Sequence, residues 1–262
     1  MDASAPLGVV MVGEKEVVNH FLPVGFVVAV ALAGLVALVY GIMWLNRYVE
    51  GRRLAAVDRR AAEIATAMQG QGLTMIAAPY RVEAAFLKPF ESCNRGEVRT
   101  ARDLMQTPAG ADPAIRMMEY SYVAWNGQRQ VMRGFTAVLV IQGGLAVPHF
   151  LLTKETIFQW AEKLFKVQDI NFEEHPKFSS MYLLQGEDEE AVRALVPPAL
   201  RPALESHPGL TVEGRGSQLL FFREGVAVPS AKWPEFLAEV RALAPLFQSR
   251  PAVAGPPPLP PG

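Results

Sequence analysis

Glu173, Glu174 and His175 stand side by side before Pro176 and bring two carboxylates and an imidazole within three positions. Such oxygen and nitrogen donors could hold a divalent cation or move a proton. Adjacent residues do not converge, however. In a strand they point to opposite faces, and the proline disfavours helical backbone in the residue before it. The remaining histidines are scattered: His20 precedes a long apolar run, His149 follows a proline at the start of a strand, and His207 lies in a His-Pro-Gly turn. No HExxH spacing or cysteine pair accompanies them, so no metal site is expected. Glu173 to His175 reads as a polar approach into a strand, anchored by Phe172 and Phe178.

Cys93 is the single cysteine of the chain, which excludes an intramolecular disulfide. As a thiol nucleophile it would need His149 or His175 as its base, brought from far along the sequence. There is no G-x-S-x-G, no Walker A lysine loop and no G-x-G-x-x-G; Gly214-Arg215-Gly216 between two apolar runs reads as a turn. No catalytic residue and no cofactor are therefore expected. With 25 basic against 26 acidic residues the chain has no global field to gather nucleic acid, and Arg129, Arg133 and Phe135 are too sparse for a nucleic-acid platform.

The element that dominates the sequence runs from Phe21 to Leu45, 25 residues without a charge. At about 1.5 Å per residue this exceeds a hydrocarbon core of roughly 30 Å, and it predicts a transmembrane helix. Asp2, Glu14, Lys15 and Glu16 precede it, whereas Arg47, Arg52, Arg53, Arg59 and Arg60 follow, so the positive-inside rule places the N-terminus outside and the remainder in the cytoplasm. That polarity is opposite to a signal peptide's. Tyr40, Trp44 and Tyr48 fall with Arg47, Arg52 and Arg53 where the cytoplasmic membrane interface is expected. Gly25, Ala29, Ala33, Ala37 and Gly41 recur at every fourth position and form one ridge of small side chains, which lets helix backbones approach closely in lipid.

Behind the span the sequence predicts an α+β protein: one N-terminal transmembrane helix and stalk, then antiparallel sheets packed with helices. The expected organisation is an extracytoplasmic N-terminus (1–20), the transmembrane helix (21–45), a cytoplasmic helical stalk (46–72), an α+β subdomain with a three-stranded antiparallel sheet (73–168), a C-terminal α+β subdomain (169–248) and a disordered Pro-rich tail (249–262). In the stalk Leu54, Val57, Ala61, Ile64, Ala65 and Met68 follow helical spacing, with Gly70 and Gly72 as a stop. Residues 73–114, broken by Pro79, Pro89, Pro108 and Pro113, read as strand-poor. Asn126-Gly127 and Gly143-Gly144 signal two successive hairpins, and Thr153 reads as the cap of a helix carrying Ile157, Trp160, Ala161, Leu164 and Phe165. Further on, a strand at SMYLL, a helix interrupted at Pro197-Pro198, strands at LTVEG, QLLFFRE and GVAVP, and a last helix from Ala231 are expected.

The arginine-flanked span, Glu119 to Tyr122, Val147 to Leu152, Asp169 to Phe172, His175 to Ser179, Tyr182 to Gly186 and the following Glu-Asp-Glu-Glu-Ala-Val-Arg resemble a loose set of uncharacterised bacterial membrane-anchored proteins over roughly residues 20–248. The resemblance implies a shared cytoplasmic α+β domain and carries over no site residue; residues 73–114 depart most from it. The expected function is that of a single-pass inner-membrane protein whose domain serves protein binding or self-association. Its partners are the lipid bilayer and, through the small-residue ridge, a second copy or another membrane protein. The alternatives are a membrane-anchored hydrolase-like enzyme with Cys93, His149 and His175 in a cleft, or a binder of apolar ligands between sheet and helix.

Overall fold

The computed structural model describes residues 24–77, 82–154 and 169–247. The expected N-terminal segment 1–20, the helix after Thr153 and the tail 249–262 lie outside the described residues. The chain forms two units, residues 1–54 and 55–262, taken separately below.

The first unit contains most of α1 (Val24–Ala67). An apolar window of mean hydropathy 2.6 lies in this helix with none of it buried against protein. It is the one helix, among the described residues, long and apolar enough to cross a membrane.

The second unit is α+β, built on one antiparallel sheet of nine strands. These are β1 (Thr74–Ala77), β2 (Val82–Glu83), β3 (Glu97–Gln106), β4 (Ala114–Trp125), β5 (Gln130–Ile141), β6 (Val147–Lys154), β7 (Tyr182–Gly186), β8 (Leu210–Gly216) and β9 (Gln218–Arg223). Eight run in the order β1-β3-β4-β5-β9-β8-β6-β7, and β2 pairs with β3. The helices are α2 (Pro176–Met181), α3 (Glu189–Leu195), α4 (Leu200–Glu205) and α5 (Trp233–Leu243).

Local chemistry explains much of this. Asn126 accepts hydrogen bonds from the amides of Gln128 and Arg129, and Gly127 takes a φ of 94°, which closes the β4–β5 hairpin. Asp188 caps α3 by accepting from the amide of Ala191, with Glu189 and Glu190 in the positive first turn. Pro197 and Pro198 separate α3 from α4, as the sequence predicts. Phe150 faces a glycine on each side, Gly186 across β7 and Gly214 across β8, and stacks on Phe247 at 5.9 Å. Gly214 supplies the room its ring occupies, since a side chain there would run into the ring itself, and a side chain at Gly186 would run into Val192.

Several expectations are corrected. Residues 73–114 contain three strands, one of them ten residues long; Pro89, Pro108 and Pro113 flank β3 without entering it. The expected three-stranded meander does not form, because β6 is separated from β5 by the β9–β8 hairpin. Both strands are buried along continuous apolar runs, so each needs a partner on either edge, and the later hairpin supplies one to each. The sheet therefore runs across the expected boundary at residue 168. Thr153 is no helix cap but an interior residue of β6, buried, with its hydroxyl 3.0 Å from that of Thr211. Pro176 does not lead into a strand; it opens α2, at a first-turn position where its missing N–H has no helical partner. The run GVAVP is turn and coil.

The sheet has a core on each face. One is covered by the helices and includes Met117, Val138, Phe221 and Trp233. The other packs Tyr120, Phe135 and Phe222 under the irregular segment that carries Leu87, Phe90 and Cys93. The end of the expected stalk belongs to the first of these cores: Val57 and Ala61 are half-buried, Ile64 and Met68 fully buried, before Gly70 and Gly72 end the helix at positive φ.

Candidate functional site

The helix residues singled out above all lie on α1. Gly25, Ala29, Ala33, Ala37 and Gly41 are exposed, and nothing stands within 4 Å of where a side chain at Gly25 or Gly41 would lie. Tyr40 and Trp44 are exposed, the rings of Trp44 and Tyr48 stack at 5.5 Å, and the Arg52 guanidinium sits 5.3 Å above the Tyr48 ring. Arg47 is exposed; Arg53 lies in the same helix.

The structure does not gather Cys93, His149 and His175 on one element. His175 precedes α2, and its neighbour Glu174 pairs with Arg201 at 2.6 Å, which in turn stacks over Phe172 at 3.7 Å. The opening cluster is thus tied to α4 by a carboxylate–guanidinium pair. Cys93 lies in a short 3-10 turn, Glu91–Cys93, and its carbonyl accepts a 2.6 Å hydrogen bond from the Tyr120 hydroxyl. Burial, and then the negative charge of Glu213, hold its thiol well above its usual pKa. A thiolate nucleophile needs the opposite environment.

His149 and Cys93 are linked through a residue the sequence reading passed over. Glu213, on β8, is fully buried. Its carboxylate accepts from the amides of Glu91 at 2.6 Å and Ser92 at 3.0 Å, and it lies 3.2 Å from His149 Nε2. On the other side of the ring, Nδ1 is 3.4 Å from Glu187. The hydrogen bond with Glu213, partly opposed by burial, raises the His149 pKa above its usual value. β6 and β8 place His149 and Glu213 side by side, and Glu213 fastens the turn that carries Cys93 over the sheet. Beside that turn is an open cavity of about 410 Å³, lined by Glu83, Lys88, Cys93, Asn94, Val98 and Arg99.

A second buried cluster joins α1 to the sheet within the second unit. Arg60 bonds Asp103 through Nε at 2.8 Å and pairs with Glu119 through Nη2; Arg102 pairs with Glu119 as well. Asp103 is 2% exposed and has a φ of 53°, at a shift in the β3–β4 register. In a regular strand residues 102 and 103 point to opposite faces. The left-handed backbone lets both side chains reach the same cluster. For Glu119 in MMEYSY and Glu213 in LTVEG the available signal was an acidic side chain inside an apolar strand, whereas Asp103 in ARDLM stood among other charges and had only the apolar residues after it.

Among the described residues no group of three or more histidine, cysteine, aspartate or glutamate side chains is arranged to hold a metal ion. No known protein family and no curated protein matches the chain. Among solved structures it is similar to the mycobacterial trehalose monomycolate transport factor A, TtfA, at 11% identity and a TM-score of 0.49, over 73% of this chain and 97% of that one.

Proposed function

We infer that the chain is a single-pass membrane protein that associates with a second copy, or with another membrane protein, through the small-residue face of its span. The α+β domain would then lie in the cytoplasm and be held at the inner membrane with the N-terminus outside. The observation that carries this reading is the stretch Gly25 to Gly41, where every fourth side chain is small and every one is exposed on a helix of membrane-spanning length. The flanking arginines and the stacked Trp44–Tyr48 pair support the orientation. The environment of Cys93 weighs against the hydrolase-like alternative, since it opposes a thiolate.

In a membrane two-hybrid assay, Ala33→Leu combined with Ala37→Leu should reduce association of the full chain with itself. The double change at Val36 and Leu38, off the ridge, to Leu and Ile should not. An unchanged signal for the first pair would remove the ridge as the contact, and reporter fusions after Met1 and after Phe247 test the orientation independently.

A further inference from the structure

We propose that the projecting end of the β4–β5 hairpin is a second membrane contact, seating Trp125 and Met132 at the headgroup level of an anionic bilayer. The proposal rests on the membrane anchor inferred above but uses a different surface. β5 pairs with β9 only from Ala137 to Ile141, whereas β4 and β5 remain paired out to Trp125 and Gln130. At about 3.4 Å per residue, the ribbon runs roughly 20 Å beyond its last bond to β9, while β3 accompanies β4 on the other side as far as Val123, so the free end begins after that residue. Near its end Trp125 is 66% and Met132 60% exposed. Met132 stands opposite Val123, so alternation puts Val123, Trp125 and Met132 on one face.

The charges on the ribbon identify the occupant. Arg129 and Arg133 are exposed, and no acidic residue occurs between Tyr120 and Lys154. Arg133 stands opposite Tyr122, on the other face from Met132, so basic side chains flank the ribbon end on more than one side. An indole and a thioether on a ribbon end that carries Arg129 and Arg133 and no carboxylate of its own match an anionic lipid surface, where the amphipathic ring sits at the headgroups and the guanidinium groups meet phosphates.

The test uses the full chain carrying Gln128→Cys at the hairpin tip, labelled with an environment-sensitive fluorophore and reconstituted into phosphatidylglycerol-containing vesicles. Native Cys93 is buried and its thiol is held protonated, so position 128 takes the label. The expected result is blue-shifted emission quenched by nitroxide lipids. Partitioning of the tip should weaken roughly fivefold per arginine removed by Arg129→Gln or Arg133→Gln, and it should fall with Trp125→Ser. Emission that stays aqueous while the chain floats with the vesicles overturns the proposal, as does quenching equal in purely zwitterionic vesicles and indifferent to both arginines. If alkaline carbonate strips the chain from the vesicles, the anchor reading has failed, and the proposal falls with it.

Discussion

Replacing Glu213 by alanine should be among the most destabilising single changes in the domain. The carboxylate is fully buried and receives two backbone N–H groups, from Glu91 and Ser92, as well as facing His149 Nε2. A hydrogen bond to a charged group is worth about 1.5–3 kcal/mol, and each buried donor left without a partner costs about 1–3 kcal/mol. These contributions overlap, and removal of one partner of a buried charged pair costs about 3–5 kcal/mol. For a domain of this size each kcal/mol lowers Tm by about 2–4 °C, so Glu213→Ala should melt roughly 6–20 °C below the parent. Glu213→Gln should fall between the two, because its single acceptor oxygen serves the amides less well and its NH₂ group faces donors. Thermal unfolding of the full chain in mild detergent, followed by fluorescence, measures the shift. Near-UV circular dichroism checks that each variant starts from the native fold. An alanine variant melting within about 2 °C of the parent would refute the assignment of Glu213 as the fastener of the Glu91–Cys93 turn, since that loss is under about 1 kcal/mol.

The other predictions concern the same buried groups and the packing around them. Because His149 has its pKa raised by Glu213, its ion pair contributes stability that is fully present below the unfolded-state value near 6.5 and is lost as pH rises through the higher folded-state value. Denaturant midpoints should therefore fall as pH rises from about 6.5 through the folded-state value and level off above it, and that part of the slope should vanish in His149→Gln. Arg60→Ala leaves Asp103 and Glu119 sharing Arg102 alone and should cost about 2–4 kcal/mol, discounted from the buried-pair range because Arg60 is 34% exposed. Chemical denaturation checks it, and Arg60→Lys should recover only part of the loss, since lysine cannot form the fork. Gly214→Ala drives a methyl group into the Phe150 ring and should cost about 1–3 kcal/mol, with partial rescue by Phe150→Leu in a double-mutant cycle.

Local chemistry carried the reading as far as local chemistry reaches. The uncharged run to Leu45, the Asn126-Gly127 turn, the acidic start of α3 and the break at Pro197-Pro198 each depend on residues a few positions apart, and the structure has all four features. β3 was hidden because its sequence, EVRTARDLMQ, carries four charges and two register shifts, so neither alternation nor a continuous apolar run appears. The insertion of the β8–β9 hairpin between β5 and β6 had no local signature at all. It satisfies edges that lie about 70 positions from the strands that fill them, and nothing at Gly143-Gly144 records which partner will arrive. Asp103 was hidden among other charges, and Glu119 and Glu213 were legible only as misplaced ones, because the groups they hold lie 43, 59 and 121–122 residues away.

Both carboxylate clusters hold a piece of chain that the sheet itself does not hydrogen-bond along its length. Glu213 fastens the irregular turn at Glu91–Cys93, which would otherwise cover the Tyr120–Phe135–Phe222 face with little regular backbone pairing. Asp103 and Glu119 fasten the last turns of α1, where Ile64 and Met68 supply apolar contact but no register. Apolar packing alone tolerates sliding by a residue or a turn, whereas a guanidinium bonded to two carboxylates does not. The cost is desolvation, offset by the hydrogen bonds each carboxylate accepts. It follows that charge neutralisation of Glu213 or Asp103 should loosen position before it unfolds the sheet. The sheet's own core, with Phe221, Trp233 and Leu237 fully buried, does not pass through either cluster. Hydrogen exchange separates the two events: in Glu213→Gln the amides of Glu91 and Ser92 should lose protection by a larger factor than those of β8 and β9. Equal loss across all of them would mean that the carboxylate supports the whole sheet and that the turn is not a separately fastened part.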